Sequence, residues 1–178
     1  HTDSLRREHF IAFRDEVVRQ PGFVSGTASV NVPGQPMRIR VSNISSSDMP
    51  GNLKLEVVLG QIDDGFIPTY GLRLLAGRNF EQPIILDTAK AIISESMVKI
   101  LEYGSPQAAI GKQFRMGNIR YTIKGVVNDF HHEGLKKPSE PVIFVHRHPS
   151  EFGFYSFRIE GNMQKTLAQL QSVWPRHY

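Results

Sequence analysis

Lys112-Gln113-Phe114-Arg115-Met116-Gly117-Asn118-Ile119-Arg120-Tyr121-Thr122-Ile123-Lys124-Gly125-Val126-Val127 carries the clearest local signal in the chain. Gly117-Asn118 separates Phe114-Arg115-Met116 from a run in which Ile119, Tyr121 and Ile123 alternate with Arg120, Thr122 and Lys124. A two-residue, glycine-containing break between period-two segments predicts a β-hairpin with antiparallel pairing. Strict alternation places Arg120, Thr122 and Lys124 on the polar face of that hairpin.

Downstream, Val142-Ile143-Phe144-Val145 is a continuous apolar run, and Tyr155, Phe157 and Ile159 alternate with Ser156 and Arg158, predicting two more strands. Asn162 then suits the N-cap of a helix whose Met163, Leu167, Leu170 and Trp174 form one apolar stripe. Upstream, Ser105-Pro106 predicts a short helix ending by Gly111, with proline at the first helical position, where a missing N–H costs nothing. Ala91-Ile92-Ile93 reads as a short buried strand, and Ser94 can cap a helix that carries Val98 and Leu101 to Gly104. Asp63 to Tyr70 forms a helical or turn segment that Gly71 would close in the left-handed conformation.

The N-terminal third follows the same rules. Asp3 and Ser4 offer helix caps, and Phe10, Phe13 and Val17 recur at helical spacing until Pro21-Gly22. Val24, Gly26, Ala28 and Val30 alternate with Ser25, Thr27 and Ser29, and Met37, Ile39 and Val41 alternate with Arg38, Arg40 and Ser42. After a polar break from Ser45 to Asn52, Leu53, Leu55, Val57 and Leu59 alternate with Lys54 and Glu56 as a third half-buried strand. Strands flank helices at both ends around a hairpin-bearing middle, which predicts an α+β fold with a mixed sheet.

Composition bounds what such a fold does. Of 178 residues, 40% are hydrophobic and 21% charged, the profile of a chain that folds around a core. Lys and Arg total 21 against 17 Asp and Glu, too small and too scattered a surplus for a nucleic-acid-binding stripe. There is no cysteine, which removes disulfides, thiolate zinc sites and cysteine nucleophiles. No apolar run approaches the length needed to span a bilayer, and no basic-then-apolar leader resembles a signal peptide. The chain opens at His1-Thr2 and stops at Trp174-Pro175-Arg176-His177-Tyr178, the expectation being that it is a piece of a longer protein.

Four groupings bear on chemistry. Asn128-Asp129-Phe130-His131-His132-Glu133 gathers carboxylates and imidazoles after a strand and is the candidate for a metal-dependent hydrolase centred on Asp129, His131 and Glu133. Adjacent imidazoles diverge, however, whereas a His-Glu-x-x-His helix aligns two histidines on one face, so the loop reads as polar rather than metal-binding. His146 and His148 flank Arg147, and Pro149 ends that segment, which suits a structural or exposed pair. Asp63-Asp64 resembles paired carboxylates, but neighbours before a helix more often supply capping and N-terminal charge. Gly111-Lys112 lacks the upstream glycine and the following Ser or Thr of a phosphate-binding loop. No catalytic, cofactor-binding or metal-binding residue is assigned.

The run Asp64-Gly65-Phe66-Ile67-Pro68-Thr69-Tyr70-Gly71-Leu72-Arg73-Leu74-Leu75-Ala76-Gly77-Arg78-Asn79-Phe80 resembles the periplasmic core domain of MacB/FtsX-type ABC-transporter permeases. The resemblance continues through Ala91-Ile92-Ile93-Ser94-Glu95, Ala109-Ile110-Gly111-Lys112 and Tyr121 to Glu133, and so covers essentially the whole chain. It implies a porter-like lobe from residues 1–62 and 139–178, with a smaller inserted α/β lobe, 63–138, that contains the hairpin. It also implies a non-enzymatic domain on the periplasmic side of the inner membrane, set between two membrane helices that this sequence does not contain. The expected partners are a cytoplasmic ABC ATPase subunit, a second permease copy and an extracytoplasmic protein or substrate. The expected role is relay of ATP-driven motion. The rival readings are the metal-dependent hydrolase and a free solute- or peptide-binding module.

Overall fold

The computed structural model describes residues 2–35, 39–46, 49–53, 56–130, 140–147 and 153–177. Helix α1 (Thr2–Val18) leads into β1 (Phe23–Ser29), β2 (Arg40–Val41), β3 (Ile44–Ser46), β4 (Met49–Leu53) and β5 (Val57–Ile62). Then follow α2 (Phe66–Tyr70), β6 (Leu74–Gly77), a 3₁₀ turn (Ile84–Asp87), β7 (Lys90–Ser94), α3 (Glu95–Ile100) and α4 (Pro106–Ala109). The hairpin β8 (Gln113–Met116) and β9 (Ile119–Val127), strands β10 (Val142–His146) and β11 (Phe154–Ile159), helix α5 (Met163–Val173) and a 3₁₀ turn (Trp174–Arg176) complete the order.

All the described strands join one mixed sheet in the order β11-β1-β5-β10-β7-β9-β8-β3-β4, with β2 beside β5 and β6 beside β9. The pairs β5–β10 and β7–β9 are parallel and the rest antiparallel, which is the α+β class that the alternation predicts. The hairpin forms in the register Met116↔Ile119 to Gln113↔Thr122, with Gly117 at a positive φ of 60°. Hydrogen-bonded pairs β10–β7 and β3–β8 connect residues on the two sides of the 62/63 and 138/139 boundaries.

The middle of the sheet is covered on both faces. Val57, Leu59, Ile93, Ile143 and Val145 pack with Met97 and Val98 of α3 and with Leu101 at its C-cap. Val58, Ile62, Ile92, Val142 and Phe144 pack with Phe66 and Ile67 of α2. Central strands buried on both sides read as continuous apolar runs, hence Val57-Val58-Leu59 as well as Val142 to Val145. The alternation expected across Leu53 to Leu59 therefore resolves into two strands, β4 and β5, with Lys54 and Leu55 outside the described residues. The polar break expected at Ser45 to Asn52 contributes to β3 and β4. In β1, Val24 is exposed while Thr27 and Ser29 are fully buried, because the strand's second half is covered on both faces.

At the β11 edge, Phe10, Phe13, Val17, Ala28 and Val173 form a third cluster, with Tyr155, Phe157 and Leu170 against it. The apolar stripe expected on α5 is rotated. Thr166 and Val173 face inward, whereas Met163, Leu167 and Trp174 are 70%, 53% and 44% exposed. Phe157 is only partly buried, so the cavity left by Phe157→Ala is smaller than one left by a fully buried ring. Gly77 has a φ of 71°, and a Cβ there would overlap the Lys124 carbonyl, which accounts for glycine at that position.

Candidate functional site

The helices nearest the two chain ends meet. Phe13 of α1 sits edge-on to Trp174 at 5.3 Å and to His177 at 5.6 Å between ring centroids. Glu16 accepts from Arg176 at 2.6 Å and lies 2.7 Å from His177 Nε2. The hydrogen bond to His177 holds the Glu16 carboxyl below its ordinary range. Thr166, near the start of α5, lies against Gly22, just beyond α1, while Trp174 lies back at Phe13. The two helices thus run antiparallel along one another.

A buried carboxylate fastens this helix pair to the sheet. Asp63, fully buried at the end of β5, accepts from the Thr27 hydroxyl, from Ala28 N–H at 3.0 Å and from Gly65 N–H at 3.0 Å. Arg14 of α1 reaches over it, 3.4 Å from Asp63 Oδ2 and 3.2 Å from Asp64 Oδ1. Gln82 donates to Asp64 Oδ1 at 2.8 Å, and Asn79 to the Asp64 carbonyl at 2.7 Å, which draws the 79–82 loop into the same joint. Burial pushes the Asp63 carboxyl up to about 6 against the lowering effect of its hydrogen bonds. The adjacent Asp64 charge adds to the rise, and Arg14 is shared between two carboxylates. Asp63-Asp64 therefore joins α1, β1 and α2, a role wider than the capping that its position before a helix suggests.

A second buried charge pair joins β9 to the 3₁₀ turn that ends at Asp87. Lys124 Nζ donates to Asp87 Oδ1 at 2.6 Å, and both residues are almost wholly buried. Glu81 N–H donates to Asp87 Oδ2 at 2.6 Å, Lys90 Nζ stands 3.7 Å from Asp87 Oδ1, and His146 Nδ1 stands 3.6 Å from Oδ2. The His146 ring stacks on Phe80 with centroids 5.0 Å apart. Burial acts to raise the Asp87 carboxyl, but the Lys124 hydrogen bond and charge, with the Glu81 N–H, outweigh it and hold it below its ordinary value. Lys124 thus departs from its expected polar face, because the 80–90 segment folds over that part of β9 and supplies a counter-charge.

Asp129 is placed by the sequence and used differently. Its Oδ1 accepts from Ser96 N–H at 2.9 Å, so it caps α3 from just beyond the neighbouring strand β9. Ser94 stands at the N-cap of α3 as expected, but its hydroxyl makes no capping bond and accepts from Val142 N–H at 3.0 Å. Asn128 Oδ1 accepts from Arg73 N–H at 2.6 Å. His131, His132, Glu133 and His148 lie outside the described residues. Among the described residues no three His, Asp or Glu side chains converge as a metal site.

The family model of the MacB-like periplasmic core domain matches residues 10–173. The chain belongs to this family. Macrolide export ATP-binding/permease protein MacB of Bartonella henselae is 29% identical over 91 residues, 51% of this chain and 14% of the relative. The MacB of Bartonella quintana is 27% identical over 92 residues, with the same coverage. These matches span about one seventh of the curated relatives' own length. In fold, the chain is similar to the crystal structure of the periplasmic region of MacB from Actinobacillus actinomycetemcomitans. The TM-score is 0.61 at 14% identity, covering 94% of this chain and 73% of that one. A domain of a putative permease from Porphyromonas gingivalis gives 0.59 at 16% identity, covering 93% and 76%. The extracellular domain of the transporter YknZ from Gram-positive bacteria gives 0.54 at 16%, covering 91% and 76%.

Seen as a MacB-like periplasmic core domain, the molecule has its buried polar chemistry at joints between elements. Arg14, Asp87 and Lys124 carry no motif, and their partners lie 49, 50 and 37 residues away, so only the folded chain brings them together. Lys124 falls in step with Arg120 and Thr122 at the polar positions of the alternation, so β9 itself carries no signal of the pair. No helix among the described residues is long and apolar enough to cross a membrane.

Proposed function

We propose that this chain is the extracytoplasmic domain of an ABC-transporter permease in the inner membrane, and that it relays ATP-driven movement of membrane helices to a substrate or partner protein. The observation that supports this reading most is the antiparallel clamp of α1 on α5, fastened to the sheet by Arg14, Asp63 and Asp64. A domain pulled at both chain ends transmits displacement only if those ends are locked to each other and to the core. A close-packed interior with a charged joint meets that requirement. The work is mechanical, and no bond is made or broken by the chain itself. In this proposal residues 1–62 and 139–178 supply the porter-like lobe that carries the clamp, and residues 63–138 supply the insert. A cytoplasmic ATPase subunit drives the permease, which pairs with a second copy and engages an extracytoplasmic partner or substrate.

The test uses the full-length permease with its ATPase. Arg14→Gln combined with Glu16→Gln unhooks α1 from both the sheet and α5. Transport falling by tenfold or more while ATP hydrolysis persists is the expected outcome. Unchanged transport by a folded double variant contradicts the relay.

A further inference from the structure

A cleft of about 260 Å³ opens where β7 begins, β9 begins and β10 ends, beneath the 84–89 segment. This is near the lower end of small-molecule sites, roughly 300–1,000 Å³. Its walls include Ile85, Ile119, Tyr121 and Val145, and its polar rim includes Lys90 and Arg147. Ile85 is 71% exposed and Ile119 47%, so the mouth presents apolar surface to water. The wall is fixed rather than loose. Ala89 holds a left-handed φ of 60°, its carbonyl accepts from Thr122 N–H at 3.0 Å, and Asp87 anchors the same turn through Lys124.

The charges around this cleft do not balance. Lys124, Lys90 and His146 stand around Asp87, Lys124 and Arg78 stand beside Glu81, and Arg147 lines the same cleft. No carboxylate among the described residues pairs with Arg147. An arginine lining an apolar cleft matches an anionic head joined to an aliphatic chain, because the planar guanidinium fork binds oxyanions and the walls bury methylenes.

We propose that this cleft binds a small amphipathic anion, its chain against Ile85 and Ile119 and its carboxylate or phosphate on Arg147. Neither α1 nor α5 takes part, so the site stands apart from the clamp.

The test is a nuclear magnetic resonance titration of the labelled chain with octanoate and octyl phosphate, with octanol and acetate as the chain-only and charge-only controls. Saturable shifts confined to residues 85–90, 119–121 and 145–147 are expected with the two amphiphiles, and binding at least tenfold weaker with both controls. Arg147→Gln and Ile85→Asp, neither of which disturbs the core, should each weaken amphiphile binding at least tenfold with the thermal melt unchanged. Tighter octyl phosphate assigns a lipid-type headgroup, and tighter octanoate a free carboxylate; either order supports the site. Absence of saturation, octanol binding as well as octanoate, or full retention by Arg147→Gln overturns it.

Discussion

Asp63 and Asp87 are both buried carboxylates tied to a cation from a distant part of the chain, yet burial wins at the first and loses at the second. Asp87 has Lys124 at 2.6 Å as its close partner on β9, with Lys90 and His146 behind it, and Glu81 lies farther from Lys124 at 3.7 Å. Asp63 shares Arg14 with Asp64, at 3.4 and 3.2 Å, where α1 crosses the sheet edge. A full counter-charge at short range stabilises the ionised form; half of one at longer range does not offset desolvation. The sheet body is therefore locked by a close charge pair, while the joint that holds α1 spreads one guanidinium over two carboxylates and adds aromatic packing.

The sharpest way to break this contrast is Lys124→Met, which leaves Asp87 buried without its close partner and should cost about 3–5 kcal/mol in urea unfolding. Asp87→Asn in the same chain should restore most of that loss. A cost for the single variant below about 1 kcal/mol would remove the distinction between the two carboxylates. Asp63→Ala should cost less, about 2–3 kcal/mol, through the donors of Thr27, Ala28 and Gly65 left without their acceptor. Equal costs at the two sites in thermal or urea melts would count against the comparison.

Acid sharpens the contrast further. The folded Asp63 carboxyl, at about 6, lies above its unfolded value of 3.8, so the folded state holds the proton more tightly. Its contribution to stability is then greatest below pH 3.8 and falls as pH rises through 6, a span of about 2–3 kcal/mol at most. Asp87, held low, contributes stability above its unfolded value of 3.8 that is lost as pH falls through the still lower folded value. Between pH 7 and 5 the parent chain should therefore gain stability relative to Asp63→Asn, and parallel pH profiles of the two would contradict this. The smallest effect is expected at the exposed Arg40–Glu140 pair, 3.0 Å apart, where Arg40→Gln should change stability by less than about 1 kcal/mol.

Local rules made much of this architecture readable in advance. The Gly117-Asn118 turn, the Ser105-Pro106 helix start, the Gly71 stop and the Asn162 cap act over a few residues, and each is found where its residue types require. What escaped depends on which surface a distant segment covers. Lys124 sits at a polar position of an alternating strand, and nothing in that strand reports that Asp87 folds over it. The α5 stripe followed helical period correctly, but which arc faces inward is set by α1 and β11, which bury Val173 and leave Leu167 outside. Asp129 stood out for its chemistry and proved to be a remote helix cap, because a capping oxygen and a catalytic one are the same residue type. Asp63-Asp64 was visible as a pair, whereas Arg14, which makes it a joint, lies about 50 residues earlier.

The proposed relay requires α1 and α5 to move as one piece. The chain has no cysteine, so spin labels at Ala12→Cys on α1 and Gln171→Cys on α5 can be placed without competition from this domain, in a full-length permease otherwise freed of cysteine. Electron–electron distance measurements with and without ATP should give one narrow interhelix distance that shifts by less than about 2 Å, as a rigid body requires. A distance that broadens, or changes with nucleotide by more than that, would mean that the clamp opens and that α1 and α5 do not relay motion together.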